Sequence, residues 1–84
     1  MMKVTVTVML KQGILDPQGE AVRQALRTLD PVKIANVRIG KVIEIEVDSP
    51  DKAYVAAAAK KMCEKLLANP VTEDFTVEIG GKLV

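Results

Sequence analysis

Histidine and tryptophan are missing from this 84-residue chain, and its aromatic side chains number two, Tyr54 and Phe75. Without imidazole there is no Ser-His-Asp or Cys-His pair, and the commonest nitrogen ligand for zinc is gone. Cys63 is the sole cysteine, so no intrachain disulfide can form and a two-cysteine metal site is excluded. It sits within "KKMCEKLL", a helical pattern, and reads as a buried free thiol in a chain suited to a reducing, cytoplasmic compartment. Two aromatics make a poor stacking platform for bases. The 12 basic and 11 acidic residues are interspersed, with no basic block to follow phosphates, so nucleic acid is not an expected partner.

Long hydrophobic runs are also lacking. The opening "MMKVTVTVML" alternates apolar residues with Lys3, Thr5 and Thr7, which marks a strand and neither a targeting segment nor a membrane span. What remains is a chain with 49% apolar residues, patterned for one small packed domain over residues 1–84. Its core must be built from Val, Ile, Leu, Ala and Met. A thin core leaves little stability in reserve, and association is a common remedy.

Val4, Val6, Val8 and Leu10 fall on one face of a first strand, with Lys3, Thr5, Thr7 and Met9 on the other. Asp16 then caps a helix that has Pro17 at its first position. Val22, Ala25, Leu26 and Leu29 form its apolar stripe, and Pro31 closes it. A second strand is expected from about Ala35 through Val37 and Ile39. It should turn near Gly40-Lys41 into a third, "VIEIEV", at 42–47. Ser49-Pro50-Asp51 repeats the helix-start grammar. The second helix should run to about Ala68, with Val55, Ala59, Met62, Cys63 and Leu66 along one face and Ala56 and Leu67 at its margins. Asn69-Pro70 stops it, and Phe75, Val77 and Ile79 alternate in a fourth strand before a short Gly80-Gly81 tail.

The order βαββαβ predicts an α+β, ferredoxin-like fold: a four-stranded antiparallel sheet with two helices on one face. The first and third strands would be central neighbours, setting Lys3, Thr5 and Thr7 beside Glu44 and Glu46. The second and fourth would be edges, open to pairing with another chain.

Little in the sequence carries chemistry. Glu44, Glu46 and Asp48 share strand spacing, which fits a solvated face better than a magnesium site. Gly80-Gly81-Lys82 lacks the spacing of a phosphate loop. Gly19 is the anomaly. With Asp16 as cap it takes the third helical position, where Glu or Gln would complete a capping box. Either it is a local weakness of no consequence, or it leaves a notch at the helix N-terminus that can receive a carbonyl, carboxylate or phosphate.

Three segments carry a resemblance: "LKQGILDPQGEAVRQAL" (10–26), "VRIGKVIEI" (37–45) and "MCEKLLANPVTEDFTVEI" (62–79). Together they resemble the PurS family, the small subunit of phosphoribosylformylglycinamidine (FGAM) synthase. The resemblance implies a non-catalytic adaptor in de novo purine biosynthesis, bridging a glutaminase subunit and a large synthetase subunit and assisting ammonia transfer. It implies a homodimer or dimer of dimers. It also implies that ATP, magnesium and glutamine are used by the partner subunits, with no cofactor in this chain. Asp16, Gln18 and Gly19, with Arg38, Lys41 and Asn69 from the other segments, become candidates for the partner interface. On this reading Gly19→Ala stabilises the free protein by about 0.5–1 kcal/mol and weakens assembly. After the first helix the chain reads Leu29-Asp30-Pro31-Val32 where the family suggests a glycine and often an aromatic, which concerns local loop shape alone. The alternative is a free-standing ACT-like domain that binds a small metabolite, because one architecture hosts many functions.

Overall fold

The computed structural model describes residues 1–29 and 33–84. The alternating valines form β1 (Met2–Leu10), the strand on which everything else is hung. Lys41–Val47 forms β2, Glu73–Ile79 forms β3 and Lys82–Leu83 forms β4, in the antiparallel order β2-β1-β3-β4. The expected central pairing holds: Val4 faces Ile45 and Val6 faces Ile43 across β1–β2, while Val6 faces Val77 across β1–β3. On the opposite face Thr5 lies beside Glu44 and Lys3 beside Glu46, and the Lys3 ammonium reaches the Glu44 carboxylate at 2.8 Å. That pair is solvated and adds little to stability.

A single helix covers the valine face. Helix α2 (Lys52–Met62) buries Val55 and Ala59 against Val4, Val6, Val8, Val77 and Ile79. Each fully buried valine contributes about 1.5–3 kcal/mol. The cap is Asp51, whose carboxylate accepts from the Tyr54 amide at 3.2 Å, two residues beyond the expected Ser49. The last turn, Cys63–Leu67, is a π-helical widening closed by the Ala68 amide donating to the Cys63 carbonyl at 3.1 Å. One extra residue per turn rotates the face. Cys63 stays buried, as expected, and Leu67 turns toward the core. Leu66, expected inside, is 82% exposed, and Met62 is 40% exposed.

Three further expectations are corrected. Gly80 and Gly81 are no tail: both have positive φ (59° and 83°) and turn the chain into β4, which pairs Ile79 with Lys82 and takes over from β3 as the edge. No strand forms at 35–39, and no turn follows at Gly40-Lys41. Instead residues 33–40 continue the line of β2 past the end of β1. Lys41 pairs with Val8, and the Arg38 guanidinium reaches the Leu10 carbonyl further along the same line. The third concerns α1 (Pro17–Leu29). It makes almost no contact with the sheet, and its stripe is open, with Val22 37%, Leu26 36% and Leu29 81% exposed. The close of this helix at Pro31 and the shape of Leu29-Asp30-Pro31-Val32 lie outside the described residues.

The topology is therefore ferredoxin-like and α+β, with α1 and residues 33–40 projecting from the end of the sheet as an arm. The molecule measures 49 × 26 × 15 Å, and its radius of gyration is 16.1 Å. A compact domain of this length has a radius of about 12 Å. The difference is the arm.

Candidate functional site

The arm is held together by one carboxylate. Asp16 caps α1 as its sequence position requires: Oδ1 accepts from the Gly19 amide at 2.8 Å. Its other oxygen, Oδ2, accepts from the Ile39 amide at 2.9 Å. A side chain that caps a helix thus also pins the extended segment across the helix start. These two donors, Ile39 first and Gly19 second, hold the Asp16 carboxyl below its usual range.

This arrangement answers what Gly19 is for. It is the only buried residue of α1, because the Val37 carbonyl lies directly over its Cα. A Cβ at that position would fall far inside contact distance of the Val37 oxygen and 2.9 Å from Asp16 Oδ2. The notch does receive a carbonyl, but from the chain's own residue 37. The expectation that Gly19→Ala stabilises the free protein is thereby overturned, since helix propensity assumed empty space beside the glycine.

Further along, Arg23 makes a forked pair with Glu20 at 2.9 and 2.6 Å and extends Nη1 to the Ile34 carbonyl at 3.4 Å. The Arg23 hydrogen bonds hold the Glu20 carboxyl at about 2. Arg23 lies opposite the apolar stripe that the sequence predicts for α1. The Glu20–Arg23 spacing of i, i+3 was the available signal for the pair. Its reach to residue 34 had none, being set by where the extended segment runs.

Two grooves flank the clasp. One, of about 430 Å³, lies between the Leu10–Asp16 loop and the segment Asn36-Val37-Arg38, with Glu20 at one wall. The other, of about 300 Å³, is bordered by Leu10, Asp16, Gln18, Gly40, Lys41 and Glu73. Ile14 and Leu15 stand at the lip of the first and are 41% and 79% exposed, and nothing in their sequence spacing marks them. Asp16, Gln18, Gly19, Arg38 and Lys41 are thus gathered at one end of the sheet, although 25 residues separate the first from the last.

Asn69 is not in that cluster. It builds the turn before β3, its carbonyl accepting from the Thr72 and Glu73 amides at 3.2 and 2.7 Å and its Oδ1 from Val71 at 3.0 Å. The turn reaches the same end through Lys11, whose amide donates to Thr72 at 2.8 Å and whose ammonium meets Asp74 at 2.7 Å. Asn69 is positioned to shape that flank.

At this end of the molecule the carboxylates of Asp16, Glu20 and Glu73 are engaged by amides or by Arg23, and that of Asp74 by Lys11. Among the described residues no three His, Cys, Asp or Glu side chains converge as metal ligands. The one thiol, Cys63, lies in the core, and desolvation, then the neighbouring Glu64, push its ionisation up. No helix among the described residues is long and apolar enough to cross a membrane.

Comparison with known proteins gives the surface a context. The family described as PurS, phosphoribosylformylglycinamidine (FGAM) synthase, matches residues 3–81. The synthase subunit PurS of Bacillus subtilis is 46% identical over 79 residues, which cover 94% of this chain and 93% of that protein. Methanocaldococcus jannaschii PurS is described as one of the subunits of formylglycinamide ribonucleotide amidotransferase in the purine biosynthetic pathway. Its structure matches with a TM-score of 0.82 at 35% identity, covering 94% of this chain and 95% of that one. A chain in the structure of PurLQS from Thermotoga maritima matches with a TM-score of 0.83 at 33% identity, over 93% of this chain and 95% of that one. A match to a synthase component disfavours the free-standing metabolite-binding alternative. The family pattern and the shared fold both run nearly from end to end, and the chain belongs to the PurS family of phosphoribosylformylglycinamidine synthase.

Proposed function

We propose that this chain is the non-catalytic adaptor of an FGAM synthase assembly in the cytoplasm, acting as a homodimer or a dimer of dimers. It bridges a glutaminase subunit and a large synthetase subunit and assists the passage of ammonia between them. The observation that carries this reading is surface. The chain exposes 6114 Å², with Leu15, Leu29 and Leu66 each about four-fifths exposed. A folded monomer of 9.1 kDa exposes about 4,900 Å². An excess of that kind, with aliphatic side chains in it, marks surfaces made to be covered. The likeness to a chain of the Thermotoga maritima PurLQS structure supports a place beside larger subunits.

Ammonia transfer gives an adaptor its physical purpose. Free ammonia protonates and is lost to water, so a route between two active sites must be sealed by well-packed surfaces. A rigid element that aligns them contributes without touching substrate. ATP, magnesium and glutamine belong, on this reading, to the partner subunits. Asp16, Gln18, Gly19, Arg38 and Lys41 border the proposed interface. Asp16 and Gly19 act by shaping the backbone, while Gln18 and Lys41 present side chains to the partner.

Reconstitution tests the proposal. A glutaminase and a synthetase subunit supplied with ammonia should form product without this chain. With glutamine as nitrogen source they should need it, and Lys41→Glu should weaken that dependence. Glutamine-driven synthesis unchanged by omitting the chain overturns the proposal, as does turnover of substrate by the purified chain alone.

A further inference from the structure

Two loops meet at the end of the sheet where β1 stops and β3 begins, and Lys11 ties them together. Its amide donates to the Thr72 carbonyl at 2.8 Å, and its ammonium meets the Asp74 carboxylate at 2.7 Å. Ile14 and Leu15 stand on the first loop, and Val71 stands on the second, the turn from Asn69 to Glu73. Leu66 lies just before that turn, set outside by the π-helical widening that keeps Leu67 toward the core. Leu15, Leu66 and Val71 are each about four-fifths exposed. None of these four aliphatic residues belongs to α1 or to residues 33–40.

Both loops are ordered by the chain itself. Gly13, with a φ of 84°, lets the Ile14 amide turn back to the Lys11 carbonyl at 3.2 Å. Asp16, next to Leu15, is fixed by the amides of Gly19 and Ile39. In the second loop the Asn69 amide donates to the Glu73 carboxylate at 2.7 Å, and Asn69 Oδ1 accepts from the Val71 amide at 3.0 Å. These bonds use backbone and polar side chains only, which leaves the aliphatic side chains free for contact. Groups held in this way lose little further freedom on binding.

The charges around them are already matched. Asp16 and Glu73 accept from amides, Glu20 pairs with Arg23, Asp74 pairs with Lys11, and the Arg38 guanidinium is turned to the Leu10 carbonyl. What this end offers is aliphatic surface in a neutralised surround, which is recognised by shape and release of water more than by electrostatic attraction. From this we infer that Leu15 and Val71, flanked by Ile14 and Leu66, form a docking tip that seats in an uncharged, apolar recess of a larger synthase subunit. The inference rests on the adaptor reading above and names the part of the chain that a larger subunit grips. A protruding tip takes a concave acceptor, and recesses of that kind lie at domain boundaries. Asn69 acts through Val71, as a positioning residue.

The reconstituted synthase tests this on the full chain. The measured quantity is the concentration of this chain that gives half-maximal glutamine-driven synthesis. Leu15→Ser and Val71→Ser should each raise it about 10-fold, with sedimentation and melting temperature unchanged. Val42→Ser removes an exposed aliphatic from the open face of β2 and should behave as the parent. Raising salt from about 0.05 to 0.5 M should move the parent's value less than about 3-fold, the share of one rim charge such as Lys41. The parent needed as before, with both serine variants equally effective, overturns the tip and leaves the adaptor reading standing. An equal loss for Val42→Ser, a steep salt dependence, or a serine variant that sediments differently from the parent also overturns the tip. Glutamine-driven synthesis that never needs the parent chain overturns the adaptor reading, and the tip with it. Should Val71→Ser lower the melting temperature by disturbing the Asn69 turn, Leu15→Ser decides alone, because the Leu15 side chain supports no bond of either loop.

Discussion

Gly19→Ala sets two physical effects in direct opposition. Helix propensity favours the substitution by about 1 kcal/mol, and a reading of the sequence alone would predict stabilisation. The structure places the new methyl against the Val37 carbonyl, with Asp16 Oδ2 at 2.9 Å and Asp16 Cγ at 3.0 Å on its other flank. A flexible side-chain tip could rotate away from such a clash. Here the neighbours are backbone and a carboxylate already fixed by two amides. Overpacking of this kind costs about 1–3 kcal/mol, and a rigid neighbour puts the cost at the upper end. The net expectation is destabilisation by about 2 kcal/mol. For a domain of this size that lowers the melting temperature by roughly 8–16 °C. Thermal and urea unfolding should be followed at one fixed protein concentration, because association shifts apparent stability. A variant melting at or above the parent would mean that residue 37 does not cross the start of α1, and the description of the arm would fall with it.

Gly40→Ala should destabilise by about 1–3 kcal/mol for the same reason, since the Val8 carbonyl cannot move aside as the Met9 side chain can; an unchanged urea midpoint would refute the straight path over β1. Glu20, with its carboxyl held at about 2 by Arg23, contributes stability that is complete above the unfolded value of 4.5 and is lost as pH falls through about 2. Glu20→Gln should flatten the acid limb of a urea-midpoint profile between pH 2 and 5. A parallel profile in the variant would show that the Arg23 pair does not form. Cys63 is completely buried and its ionisation is pushed up, so its labelling by a thiol reagent should track unfolding; rapid modification of the native protein would refute the packing of the π-helical turn that follows α2.

Local patterns foretold the local structure. The alternation from Val4 to Val8 named a central strand, Ile43, Ile45 and Val47 named its neighbour, and Asp16-Pro17 named a helix start. Each depends on interactions between residues close in sequence, or on a burial periodicity written in one segment. The π-helical turn at Cys63–Leu67 escaped because one inserted residue rephases a stripe without altering its composition. The hairpin expected at Gly40-Lys41 failed for a different reason. Alternation in 35–39 reports that the segment is extended and says nothing of which strand it lies beside.

The sequence by itself determined which segments become helix or strand, which face of β1 enters the core, and the resemblance to a synthase subunit. It also marked Asp16, Gly19, Arg38 and Lys41 as worth attention. Only the tertiary structure decided that Gly19 yields to Val37, that Asp16 holds Ile39, and that α1 stands away from the sheet. Periodicity encodes that a surface is to be covered, through the transfer of apolar atoms from water. It does not encode by what, since that transfer is non-directional. Backbone path and contacts between residues 18 to 23 positions apart make that choice.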